Sequence, residues 1–477
     1  MQPEPSASDS ATRIESDLLG EMRLAQEHLY GVQTARAVEN FPITGVLLNE
    51  YPELVRALAM VKKAAALANE ELGTITPAQA EAIVQACDEI IAGRHHQHFV
   101  VDMVQGGAGT STNMNANEVI ANVGLEKMGR ARGDYVHLHP NDHVNRSQST
   151  NDAYPTAVRV AVLMQHEELV AALQHLAEAF SEKAKAFSGI SKVGRTQLQD
   201  AVPMTLGMEF ASFAVAMEED AKHLRQTAEL LRPVNLGGTA IGTGIAAPAG
   251  YCERAIAHLS AVSGYEFSRA RDLIEASSDL GALVSFSGAL KRVSIKLSKI
   301  CNDLRLLSSG PRAGLREISL PAVQPGSSIM PGKVNPVIPE VVTQVAYQVM
   351  GNDVTVAMAA EAAQFQLNAM EPVVVFNVLN SIRMLTRAAT VLRERCVVGI
   401  QANAAHCEEQ LRGSLVLATA LVPHIGYEKA VQVAKTAQDT GATVLETLER
   451  LGFLSAAEFQ AILASEGICG SAAVAAN

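Results

Sequence analysis

The chain has 477 residues, of which 48% are hydrophobic, 18% charged and 4% aromatic, with no tryptophan. That length can bury a large core, and the shortage of aromatic rings favours aliphatic contacts between helices over an aromatic-rich sandwich. A formal net charge of -12, with no basic run carrying interleaved aromatics, argues against a nucleic-acid surface.

In chain order, residues 1–12 are polar, contain Pro and Ser, and lack the apolar core of a signal peptide, so they read as a disordered tail. The cysteines, Cys87, Cys252, Cys301, Cys396, Cys407 and Cys469, show no Cys-x-x-Cys or metal-ligand spacing and read as free thiols of a reducing cytoplasm. His95, His96 and His98 could coordinate a metal, but they stand beside Arg94 without a carboxylate or cysteine partner, which favours a solvated loop. Ser149-Thr150-Asn151 has the chemistry of a helix cap, and the long segment after Pro155 places Leu169, Leu173, Leu176 and Phe180 at helical spacing. Gly237–Gly244 superficially resembles a nucleotide loop, yet no β-rich run precedes it and no Gly-Lys-Ser/Thr follows.

From Leu283 the apolar positions Phe286, Leu290, Val293, Leu297, Ile300, Leu304 and Leu307 follow in steps of three and four, a coiled-coil-like seam. Stretches 208–232, 340–364 and 374–400 are rich in Ala, Val and Met and also read as helices. The predicted fold class is all-α. The expected parts are the tail, an N-terminal domain over 13–148, a central bundle of long helices over 149–404 and a small helical domain over 405–477. Several helices are apolar on more than one side, which points to packing against other subunits as well. No apolar run reaches the roughly 18 residues that suggest a membrane helix.

The segment from Gly326 to Pro336, Gly-Ser-Ser-Ile-Met-Pro-Gly-Lys-Val-Asn-Pro, concentrates the chemistry. Asn335 is a favoured N-cap and Pro336 a favoured first helical residue, so a helix is predicted to start there with its positive dipole end toward the loop. Lys333 adds a full positive charge, and the two glycines let the loop expose backbone N–H groups to a small anion.

This loop resembles the signature of the fumarase/aspartase superfamily. Gly107–Glu118, His139–Asp142 through Ser147–Asp152, and Gly194–Ala201 resemble the same family in the same order. Four long motifs in register are specific, and the similarity runs from about Arg13 to about Gly470. The resemblance implies an all-α homotetramer whose sites draw matching segments from three subunits, working without an organic cofactor, with metal activation left open. It implies elimination of a group next to a carboxylate-stabilised carbanion, releasing fumarate.

Carried over position by position, Ser327 matches the general base. Thr110, Ser149, Thr150 and Ser328 match contacts to the carboxylate that becomes an enediolate, while Lys333, Asn335 and Thr196 match those that hold the other carboxylate. Asn151 and Gln197 sit where the family meets the leaving group. Gln197 stands where fumarases have His, which favours ammonia as the leaving group and L-aspartate as the substrate. A class II fumarase is the nearer alternative. A non-catalytic structural member, as lens crystallins related to argininosuccinate lyase show can arise, is the more distant one. His139–Asp142 resembles a second dicarboxylate site or forms a plain capped turn. Arg36, in the family-like run Tyr30–Arg36, is expected to assist carboxylate binding or to join an ion pair. Ala246 and Ala247 stand where relatives commonly carry Asn, and Met208 where Gln is common.

Overall fold

The computed structural model describes residues 11–465, and its regular structure is dominated by helices. Residues 1–10 of the expected tail and Cys469 lie outside the described residues. Thr12, assigned to the tail by its sequence, opens the hairpin of β1 (Thr12–Asp17) and β2 (Gly20–Ala25), where it pairs with Ala25.

Four helices follow, α1 (Val32–Asn40), α2 (Pro52–Glu71), α3 (Pro77–Ile91) and α4 (Thr110–Lys127). Pro52 and Pro77 open their helices, where a missing N–H costs nothing. Thr76 and Gln79 exchange hydrogen bonds of 3.3 and 3.0 Å in a capping box ahead of α3. The α2 helix packs on α3 and α4, with Leu54, Leu58, Val61, Ile83, Val119 and Val123 buried.

The central part comprises α5 (Thr150–Ala186), the antiparallel hairpin β3 (Ser191–Thr196) and β4 (Gln199–Thr205), α6 (Leu206–Ala228), α7 (Tyr251–Ser263), α8 (Gly281–Leu307), α9 (Val337–Glu361) and α10 (Glu371–Arg395). Every member of the predicted seam from Leu283 to Leu307 is buried along α8, as are Leu169, Leu173, Leu176 and Phe180 along α5. The α5 helix begins at Thr150, ahead of Pro155. The proline has no N–H for the carbonyl of Asn151, and the Asn235 side chain donates to that carbonyl instead at 2.9 Å.

Six short helices end the described chain, α11 (Ala404–Gly413), α12 (Val416–Ala420), α13 (Val422–Ile425), α14 (Tyr427–Thr440), α15 (Val444–Leu451) and α16 (Ala456–Ser465). Leu411, Leu417, Leu421, Val433, Leu448 and Phe459 form their common core with Val193 of β3. The sheets among the described residues are all two-stranded, in keeping with the all-α class.

Two compact units emerge from the contacts. One combines Met1–Leu169, His223–Lys291 and Gln348–Arg383; the other combines Val170–Lys222, Arg292–Tyr347 and Met384–Asn477. Among the described residues no helix is long and apolar enough to cross a membrane.

Candidate active site

The loop from Gly326 to Asn335, in the second unit, closes on itself. The Gly326 N–H donates to the Lys333 carbonyl at 2.9 Å, and the Asn335 side-chain amide donates to the Gly326 carbonyl at 2.7 Å. A Cβ at Gly326 would meet the Lys333 carbonyl oxygen at 2.4 Å, so this closure requires glycine. Inside the closed loop the Ser327 hydroxyl oxygen accepts two backbone N–H groups, from Ile329 at 3.2 Å and Met330 at 3.0 Å. Two N–H dipoles aimed at one oxygen favour negative charge on it. Ser328 and Lys333 are exposed.

Asn335 does not cap the following helix as its sequence position predicts. The α9 helix starts at Val337, and Pro336 supplies the carbonyl that takes the Glu340 N–H at 3.3 Å. Closing the loop has claimed the Asn335 amide. Lys333 and Asn335 line a cavity of about 580 Å³ with Arg305, Ser308, Ser309 and Glu340.

Thr196 and Gln197 lie in the same unit, at the tip of the β3–β4 hairpin. Thr196 pairs with Gln199, and the two residues between them, Gln197 and Leu198, have φ of 54° and 62°. Such two-residue turns normally use Asn-Gly, so side chains here hold a strained backbone of the kind that collects at functional sites. The hairpin is anchored below its tip. Arg195 pairs with the fully buried Glu317, and Lys192 reaches Glu209 and Glu317, each at 2.6 Å.

The remaining candidates belong to the first unit. Gly109, with φ of 88°, precedes α4, and a Cβ there would meet the buried Tyr154 ring at 2.5 Å. That contact seats Thr110 as the first helical residue, its hydroxyl donating to the Gly107 carbonyl at 2.7 Å. Ser149 caps α5: its oxygen accepts the Asn151 N–H at 3.2 Å and its own N–H donates to Asp152 at 2.8 Å. The cap reading of Ser149-Thr150-Asn151 therefore holds, and the Ser149 proton stays available to a ligand. Asn151 donates to the Ala240 carbonyl at 2.7 Å. The Thr150 oxygen accepts from Asn113 of α4 at 3.1 Å, which joins the starts of the two helices.

Sequence reading left several residues around these helix starts unassigned. Asp152 is fully buried and accepts from Gly237 and Thr239 at 2.9 and 3.0 Å, which explains the glycine-rich run as a carboxylate-holding loop. Burial raises the Asp152 pKa. Lys62, also fully buried, donates to Asn145 and Gln148 at 2.9 Å each, and burial lowers its pKa to about 7. A lysine inside the apolar run Leu54–Leu67 was the available signal.

Other sequence candidates disperse. His95 binds Glu89, His96 binds the Ile90 carbonyl and His98 accepts from the Leu29 N–H, so the three rings serve three partners. No group of three or more His, Cys, Asp or Glu among the described residues could hold a metal ion. His139 accepts the N–H groups of Asn141 and Asp142 at 3.1 and 3.2 Å, forming a capped turn. Arg36 joins an ion pair, meeting both oxygens of Asp17 at 2.9 Å.

Comparison with known proteins supplies the assignment. A family described as Lyase matches residues 20–351, and one described as Fumarase C C-terminus matches residues 417–470. The chain belongs to the fumarase/aspartase family. Within this family it is 56% identical to a protein of Pseudomonas canavaninivorans named aspartate ammonia-lyase, over 97% of this chain and 98% of that one. An aspartate ammonia-lyase of Escherichia coli K12 is 53% identical, over 96% of each chain. A Brucella melitensis structure described as fumarate lyase:delta crystallin bound to cobalt is 57% identical, with a TM-score of 0.93, and the match covers 96% of this chain and 99% of that one. A class II fumarase of Schistosoma mansoni, 34% identical, superposes with a TM-score of 0.89 over 95% of this chain and 98% of that one.

Proposed function

We propose that this chain is an ammonia-lyase that reversibly eliminates ammonia from L-aspartate to give fumarate. The substrate follows from relatives more than half identical over nearly the whole chain and named for that reaction. The mechanism rests on one geometric observation, the two N–H groups on the Ser327 oxygen. Ionised Ser327 takes a proton from Cβ of aspartate. The C–H electron pair moves into the adjacent carboxylate as an enediolate, then returns to form the Cα–Cβ double bond as ammonia leaves.

Thr110, Ser149, Thr150 and Ser328 donate to the enediolate, and the Thr110 hydroxyl must leave the Gly107 carbonyl to do so. Lys333, Asn335 and Thr196 hold the other carboxylate, while Asn151 and Gln197 receive the amino group. The reaction needs no organic cofactor. The active species is a homotetramer with composite sites, working in the cytoplasm. Exposed apolar side chains on the long helices, including Val215, Ile295, Val341, Val354 and Met358, offer the surface that assembly would bury. Release of fumarate from L-aspartate, followed by its ultraviolet absorbance with L-malate in parallel, tests this reading.

A further inference from the structure

We propose that Lys62, Asn145 and Asn113 form a directional hydrogen-bond chain that forces the Thr150 hydroxyl to present its proton to the substrate, making Asn113 a positioning residue of the reaction. The inference rests on the role proposed for Thr150 above and concerns what sets that role.

The chain has a readable direction. Lys62 donates to Asn145, whose side-chain oxygen lies 2.9 Å from Nζ. The opposite end of Asn145 agrees, because its nitrogen faces the Gln148 carbonyl at 3.2 Å, and a carbonyl only accepts. The same Asn145 oxygen receives the side-chain nitrogens of Asn113 at 3.1 Å and Asn117 at 3.2 Å. Asn113 must therefore turn its nitrogen toward Asn145, and that nitrogen also lies 3.1 Å from the Thr150 hydroxyl oxygen. Thr150 is left as the acceptor in this bond, so its own proton points elsewhere.

The orientation has a cost. The side-chain oxygens of Asn113 and Asn117 are buried without a hydrogen-bond partner, whereas buried polar atoms are normally satisfied. A network that only filled space would be expected to turn these amides to satisfy them. This one keeps its direction and spends two acceptors on it. The gain is an oriented O–H donor at the first residue of α5, available to charge that develops on the enediolate.

Asn113→Leu tests the inference, because leucine keeps the volume, removes the unpartnered oxygen and deletes the bond to Thr150. Asn113→Ala serves as a second variant if leucine does not fold, and circular dichroism verifies folding of each. With the purified full chain and L-aspartate, Asn113→Leu is expected to lower kcat about 10- to 100-fold while KM changes little. Thr150→Val should lower kcat at least as far, and the double variant should be no slower than Thr150→Val alone, since both act through one hydroxyl. A merely structural role would not produce that non-additivity. Unchanged kcat in both Asn113 variants, or losses that multiply in the double variant, would overturn the chain. Unchanged kcat in Thr150→Val would instead sink the role assigned to Thr150 itself.

Discussion

At the scale of single residues, the base role proposed for Ser327 rests on surroundings that favour the charged form of a group that is otherwise a poor base, two backbone N–H groups aimed at its oxygen. Ser327→Ala removes the proton acceptor and leaves the loop closure between Gly326, Lys333 and Asn335 in place. We expect normal folding, retained substrate binding and a fall in kcat of about 100- to 10,000-fold; turnover near the parent value would remove Ser327 from the mechanism. A second prediction concerns Glu371, which is buried beside Arg159 and whose pKa burial raises from 4.5 to about 8. The folded state holds this proton longer than the unfolded chain does. The resulting stability is complete below pH 4.5 and drains away as the pH rises to about 8. Glu371→Gln keeps the neutral shape, so its melting temperature should gain on the parent protein across that window. A constant difference would show that Glu371 does not titrate there.

At the scale of elements, the start of α4 depends on Gly109, where φ of 88° and the Tyr154 ring both exclude a side chain. Gly109→Ala should destabilise the protein by more than about 2 kcal/mol in thermal unfolding and displace Thr110 with it. Ala246 presents the opposite case: it is exposed at φ of 68°, a conformation Asn tolerates better. Ala246→Asn should therefore stabilise by about 0.5–1 kcal/mol in the same measurement. The helices were legible because their signal is periodic, and the α8 seam from Leu283 to Leu307 is buried as its spacing predicts. Their starts were less legible, since they depend on partners distant in sequence. Asn235 lets α5 begin ahead of Pro155, and Gly326 takes Asn335 away from the start of α9. The site motifs stood out through resemblance, whereas the link from Lys62 through Asn145 to Asn113 did not, because residues so far apart in sequence form no local pattern. Strain at Gln197 and Leu198 was likewise invisible, as neither residue type advertises a left-handed backbone.

At the scale of the whole molecule, the candidate residues divide between the two units. Thr110, Ser149, Thr150 and Asn151 fall in one, and Thr196, Gln197, Ser327, Ser328, Lys333 and Asn335 in the other. Unit boundaries fall within α5, α6, α8, α9 and α10, which loop-based reading could not anticipate. If the working site is shared between subunits, activity should vanish when the assembly is dissociated, and light scattering during dilution should show turnover tracking the tetramer. An active monomer would contradict composite sites. The most direct measurement of the central claim is fumarate release by the purified protein given L-aspartate or L-malate separately. The account predicts absorbance from aspartate alone, with Gln197 in place of a fumarase histidine accounting for the preference. Signal from malate alone, or from neither substrate, would contradict it.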